Sequence, residues 1–221
     1  RGIGYHYLIK EVLPGIDPFS PENLLVFATG VMTGSPIAAS CRFTAAGKSP
    51  LTGTAAESEA AGFFGPELKM AGFDAIVFRG RADKPIYLWV TEGKAEIKDA
   101  SHLASQGARE VEEMIREEMG NDRIRVAQTG LAGMNLVRFA NITNNLGHFN
   151  GRDGFGALMG SKNVRAVAAL GREKIQFFDP EFLRKTAKDY ARTFKDNPQG
   201  KTLFVYGTTI FCEILSEAGA L

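Results

Sequence analysis

Up to about residue 178 the chain alternates short apolar runs with glycine, proline and small polar residues, and beyond it the apolar positions recur at helical spacing. Ile3, Tyr7, Leu8 and Val12 share a helical face over residues 1–13 and stop at Pro14-Gly15, which predicts a short helix. Strands are predicted at 24–28, at 42–46 and at 74–79, with a turn over 48–53 and a short helix over 66–71 that Pro66 opens and Gly72 closes. Residues 85–99 form a predicted hairpin: Ile86, Leu88 and Val90 alternate on one face and Glu92-Gly93 makes the turn. An amphipathic helix follows over 108–119 with Ser105 as its cap, then strands at 124–128 and 137–142 around the loop 130–133. Helices at 180–193 and 208–218, joined by Asn197-Pro198-Gln199-Gly200, end the chain. The change of pattern divides it into a platform, 1–177, and the start of a helical domain, 178–221.

Two stretches repeat. Gly62-Phe63-Phe64-Gly65 runs on to an apolar strand closed by Gly80, and Asp153-Gly154-Phe155-Gly156 runs on to one closed by Gly171. One offset of 91 residues superimposes Phe64 on Phe155, Gly65 on Gly156 and Gly80 on Gly171. With a gap of five residues, Arg42-Phe43 aligns with Arg138-Phe139. The period is too long for a solenoid, so the fold predicted is α+β, a duplicated β-sheet platform with a pseudo-two-fold repeat.

The 221 residues carry 26 Lys and Arg against 25 Asp and Glu, so no global field draws the protein to nucleic acid or to an anionic membrane. Anion binding must be local. No apolar run reaches the length of a bilayer span and no secretory signal opens the chain, which gives a cytoplasmic expectation, with the native start expected ahead of Arg1. Cys41 and Cys212 stand far apart without Cys or paired His neighbours, and cannot build a zinc or cysteine-only iron–sulfur site.

The loop 144–156 offers many backbone N–H groups, and Arg152 adds a planar guanidinium fork, a combination suited to phosphate. A purely structural glycine loop with a solvated arginine has the same composition. Neither the dinucleotide fingerprint nor the Walker spacing is present. If the repeats pair, Arg42 supplies a second cation opposite Arg152; alone it suits a surface ion pair. His148 lies in the same glycine loop, and Glu57 and Glu59 flank Ser58, where carboxylates suit either a divalent cation or a solvated turn.

Several blocks in series, Lys48-Ser49-Pro50-Leu51-Thr52-Gly53, Gly62-Phe63-Phe64-Gly65-Pro66-Glu67-Leu68-Lys69, Ala71-Gly72-Phe73-Asp74-Ala75-Ile76, Asp99-Ala100-Ser101-His102-Leu103, Met159-Gly160-Ser161-Lys162-Asn163 and Tyr206-Gly207-Thr208, strongly resemble the aldehyde ferredoxin oxidoreductase family across nearly all of the chain. The resemblance implies the N-terminal part of a tungsten or molybdenum enzyme whose metal is held by two pyranopterin dithiolenes, with a magnesium ion bridging the pterin phosphates. Carried onto this sequence, the cofactor-binding positions are Arg42, Glu59, Ala61, Gly62, His148, Phe149, Gly151 and Arg152, and the backbone carbonyls of Glu59 and Phe149 meet the magnesium. Glu59 stands where Asn is expected, Ala61 where Gly is common, and His148-Phe149 where some members have Arg-Ala; His148 makes the anion grip there depend on pH. The implied reaction oxidises an aldehyde to a carboxylic acid and passes electrons through a [4Fe–4S] cluster to ferredoxin or a similar carrier. The cluster's cysteines and the catalytic acid and base are expected in further domains of the same chain, so no catalytic residue is placed in 1–221. Homo-oligomerisation is left open. Two alternatives stand beside this reading: a non-catalytic phosphate- or nucleotide-binding module, and a family-fold subunit of a reductase acting on another oxidised or acyl-thioester substrate.

Overall fold

β1 (Leu25–Thr29) is buried at every position, a pattern only a central strand allows. In the computed structural model, which describes residues 2–194 and 196–220, it pairs antiparallel with β2 (Phe43–Lys48) on one side and β4 (Ala75–Phe78) on the other. β3 (Ala55–Ala60) pairs antiparallel with β2, so the first sheet runs β3-β2-β1-β4. The helix α1 (Gly2–Glu11) lays Leu8 on one face of this sheet, against Leu24, Val26 and Ala46. The other face carries Phe27, Phe43 and Leu25, which pack with Phe64 of α2 (Phe64–Met70). Phe43 and Phe64 meet edge to face at 4.9 Å.

The second sheet is built from β5 (Ile86–Thr91), β6 (Lys94–Asp99), β7 (Arg125–Thr129), β8 (Ile142–Asn144), β9 (His148–Asn150) and β10 (Val164–Leu170), in the order β6-β5-β10-β7-β8-β9. β5 and β10 run parallel and every other pairing is antiparallel. Its inner face gives Leu88, Val90, Ile142 and Val167 to the same core as Phe27 and Phe43. Its outer face gives Tyr87, Val126 and Ala168 to a second core beneath α3 (Ala108–Met119), which contributes Val111 and Ile115. α4 (Leu131–Met134) and α5 (Phe155–Ser161) complete the half.

The topology is consistent with a duplication. The order β3-β2-β1-β4 of the first sheet is retraced by β9-β8-β7-β10 in the second, with all pairings antiparallel in both. α2 and α5 begin at Phe64 and Phe155, the residues the sequence offset superimposes. Gly65 and Gly156 then play one part twice: a Cβ on Gly65 would lie 2.7 Å from the Cys41 carbonyl oxygen, and one on Gly156 would strike the backbone of Ala140 and Asn141. This close approach makes Asn141-Ile142, not Arg138-Phe139, the counterpart of Arg42-Phe43, because each pair ends on the first residue of its strand.

Other local expectations change for physical reasons. The expected strand over 137–142 is turn and loop that becomes strand only at Ile142. β3 escapes the pattern because Ala, Ser and Glu favour no strand, although Ala56, Ser58 and Ala60 do alternate inward. Gly107, not Ser105, stands at the N-cap of α3. By contrast, Glu92 and Gly93 make the β5–β6 turn with φ of +49° and +71°, as a tight hairpin requires.

By its contacts the chain forms two units, Arg1–Ser35 with Ala39–Ile175, and Pro36–Ala38 with Gln176–Leu221. The second contains α6 (Pro180–Phe194), α7 (Pro198–Tyr206) and α8 (Phe211–Glu217). α7 begins where a connecting loop was expected, because Pro198 opens it at the position where the missing N–H costs nothing.

Lys162 is buried in the first unit, and its Nζ donates to the carbonyls of Asn23 at 2.5 Å, Gly80 at 2.9 Å and Pro21 at 3.4 Å. Burial, helped by the Arg81 charge, pushes its pKa down to about 8 from the ordinary 10.5. Between those values the unfolded chain binds more protons than the folded one, so this group makes stability rise with pH across that window. Lys162→Met should abolish the rise, while leaving three carbonyls unpaired at a cost of about 1–3 kcal/mol per buried group. Urea unfolding of both proteins at pH 7.5 and pH 10 checks this; equal pH slopes would contradict it.

Candidate functional site

The outer strands of the repeated half-sheets, β3 and β9, lie against one another, so the two glycine turns that follow them meet. From β3 the chain turns through Ala61, Gly62 and Phe63 into α2; from β9 it turns through Gly151, Arg152, Asp153 and Gly154 into α5. Side-chain amides stitch the junction. Asn150 donates from Nδ2 to the Ser58 carbonyl at 2.7 Å, and Asn144 donates from Nδ2 to the carbonyls of Ala61 at 3.1 Å and His148 at 3.4 Å. The Arg152 backbone N–H donates to Ser58 Oγ at 3.3 Å, and the Phe63 N–H donates to Asn145 Oδ1 at 2.9 Å.

Gly62 is required twice over. Its φ of +102° excludes other residues, and a Cβ there would collide with Asn144 Oδ1 and lie 2.9 Å from His148 Cδ2. Asn144 and Asn150 are buried, and the Oδ1 of each is a buried acceptor without a hydrogen-bond donor among the described residues.

Of the residues singled out from sequence, Glu59, Ala61 and Gly62 on one side and His148, Phe149, Gly151 and Arg152 on the other are brought to this junction. Arg42 precedes β2 and places Nη1 3.9 Å from Glu59 Oε2, a loose and largely exposed ion pair. Arg152 and His148 are exposed, and Phe149 is 48% exposed on the opposite face of β9 from His148. The residues that hold the turns together, Ser58, Asn144, Asn145 and Asn150, were not anticipated individually; the one signal was the density of asparagine between 144 and 150. Among the described residues no group of three or more His, Cys, Asp or Glu is gathered that could hold a metal ion. The exposed cationic or titratable groups at the junction are the Arg152 guanidinium and the His148 imidazole, with Arg42 beside Glu59, a set that fits a phosphate-bearing ligand approaching from the rim.

Residues 1–171 match the model of the aldehyde ferredoxin oxidoreductase N-terminal domain. The chain belongs to the aldehyde ferredoxin oxidoreductase family. It is 42% identical over 220 residues to a tungsten-containing aldehyde ferredoxin oxidoreductase of Pyrococcus horikoshii, an alignment covering 99% of this chain and 36% of the relative. It is also 33% identical over 207 residues to the WOR-like subunit of an aliphatic sulfonate oxidoreductase from Pyrococcus furiosus, covering 86% of this chain and 33% of that one. Among solved structures it resembles the active-site complex BamBC of benzoyl coenzyme A reductase with 1,5-dienoyl-CoA, with a TM-score of 0.85 and 39% identity over 89% of this chain and 30% of that one. The chain thus spans about a third of the length of the relatives it matches. Among the described residues no helix is long and apolar enough to cross a membrane.

The packing of Gly62 on Asn144 is open to a thermodynamic cycle. Gly62→Ala should destabilise the domain by about 2 kcal/mol or more, and Asn144→Ala by about 1–3 kcal/mol. The double variant should cost less than the sum, since the second change removes the atom that the new methyl strikes. Denaturation of all four proteins measures the coupling; strict additivity would refute the contact.

Proposed function

We propose that the junction of the two glycine turns cradles the phosphate-bearing part of a tungsten or molybdenum bis-pyranopterin cofactor, in an enzyme that oxidises aldehydes to carboxylic acids. The observation that carries this reading is the pairing of the duplicated turns across the β3–β9 junction, which presents two similar halves to one ligand. Arg42 and Arg152 would meet phosphate oxygens through charge-assisted hydrogen bonds, and Gly62 lets its turn close on Asn144 and His148 of the other half. The carbonyls of Glu59 and Phe149 would hold the magnesium ion that bridges the phosphates, a role open to any side chain at either position. The cofactor would supply the two-electron oxidation, and a [4Fe–4S] cluster in a further part of the protein would pass the electrons to ferredoxin or a similar carrier.

The work of this chain in that scheme is to bind and orient. The asparagine amides fix the two turns relative to one another, so the anion meets a preformed site rather than ordering a loose one. A second reading concerns the substrate alone: the likeness to a benzoyl coenzyme A reductase complex and to a sulfonate oxidoreductase subunit supports the same cradle serving an acyl-thioester or another oxidised substrate.

Elemental analysis of the full-length protein, purified without oxygen from cells given tungstate and molybdate, tests the proposal. Near-stoichiometric tungsten or molybdenum together with iron is expected. Each of Arg42→Ala and Arg152→Ala should lower metal retention after gel filtration by about ten-fold, from the loss of about 1.5–3 kcal/mol per charged hydrogen bond. Full retention in both variants would remove the arginines from the site. Phosphorus or magnesium without tungsten, molybdenum or iron would favour the non-catalytic phosphate- or nucleotide-binding module.

A further inference from the structure

The two glycine turns are held in place by different chemistry. The central strands β1 and β7 are each five residues long, and each ends opposite the first residue of the next strand, Thr29 on Phe43 and Thr129 on Ile142. Leu25 and Arg125, which open them, are therefore counterparts. Phe63 and Gly154 are counterparts too, since each stands directly ahead of the phenylalanine that begins its short helix.

At both positions the repeats differ in kind. Leu25 is fully buried in the core, whereas Arg125 is half-buried and places its guanidinium carbon 5.1 Å from the centre of the Phe63 ring. An arginine there gives up the burial that a leucine gains in the other repeat. What it gains is the face of an aromatic ring at a wet rim, where a guanidinium can stack and keep its edge solvated. The second turn has no such contact. Gly154, with φ of +72°, packs so closely that a Cβ would strike the Arg138 carbonyl, and buried Ser49 donates from Oγ to the Asp153 carbonyl at 2.8 Å. The first turn is tied by the bonds from Asn144 and to Asn145, and its Phe63 side chain stays 61% exposed beside Arg125.

We propose that Arg125 is a positioning residue: stacked on Phe63, it latches the first glycine turn, Ala61 and Gly62, onto the second half in the geometry that the anionic ligand meets. The proposal rests on the reading of the junction as a cofactor cradle. Gly62 directly precedes Phe63 and has the backbone freedom of a residue without Cβ, so a pinned Phe63 is what narrows its range. The second turn is narrowed by packing instead. The latch thus removes ordering that the ligand would otherwise have to impose.

The full-length protein and its variants Arg125→Gln, Arg125→Lys and Phe63→Leu test this. Burial pushes the Glu112 carboxyl up in pKa and the charges of Arg116 and Arg125 draw it back, so Phe63→Leu, which leaves those charges in place, covers the case in which Arg125→Gln does not fold. Hydrogen exchange at the Phe63 N–H, which donates to Asn145, should be about two- to five-fold faster in Arg125→Gln and in Phe63→Leu. Exchange at the Gly156 N–H, which donates to the Ala140 carbonyl beside the second turn, should not change, and Arg125→Lys should restore most of the protection at Phe63. Equal acceleration at both amides, or none at Phe63, overturns the proposal. Loss of tungsten or molybdenum over time, followed by elemental analysis, should quicken by the same two- to five-fold in each variant and no further in the double variant. Unchanged loss in both, where Arg42→Ala does release the metal, overturns the positioning role alone. Retention unchanged in Arg42→Ala and Arg152→Ala as well overturns the cradle, and with it any ligand for the latch to position.

Discussion

The proposed site depends on the contact between β3 and β9, the outer strands of two similar half-sheets. Each strand ends in a glycine turn that enters a short helix, and neither turn alone presents more than a few donors. Held together by Asn144, Asn145, Asn150 and Ser58, they become one continuous rim. The bonds involved are individually modest, about 1 kcal/mol net each. Their importance is geometric, because they fix which parts of the two halves face the same ligand.

The shared core makes that contact possible. Phe27, Phe43 and Phe64 from the first half and Val90, Ile142 and Val167 from the second occupy one cluster. A change of volume there is transmitted to both turns, since a close-packed interior yields little. The outer core under α3 and the small cluster under α1 instead hold each sheet to its own helix. The buried cations Lys162 and Arg165 serve the same end in polar form. Arg165 reaches the carbonyls of Leu103 and Gln106 and the Gln128 side chain, tying the segment ahead of α3 to β10 and β7.

Much of this was legible in the chain. The offset that superimposes Phe64 on Phe155 marks two true helix starts, and the β5–β6 hairpin follows from alternation and a Glu-Gly turn. Arg138 misled because local identity suggested a match, whereas the counterpart of Arg42 is set by which backbone a glycine helix can touch, and that is Asn141. β3 was hidden by residues with weak strand preference whose pairing comes from β2 rather than from themselves. The asparagines could not be assigned, since an amide that caps a distant carbonyl has no signature at its own position. The positions that the family resemblance singled out lie at one junction, and the structure adds the bonds that join its halves.

The partners across the junction are far apart in sequence: 82 residues separate Phe63 from Asn145, 92 separate Asn150 from Ser58, and 94 separate Arg152 from Ser58. Such contacts close long loops and are rewarded only after that entropy has been spent. The rim therefore depends on both halves of the chain being in place. A chain that has completed only its first half has the scaffold of one turn and no site at all, so an anion would meet its grip only on a molecule whose two halves have already found each other.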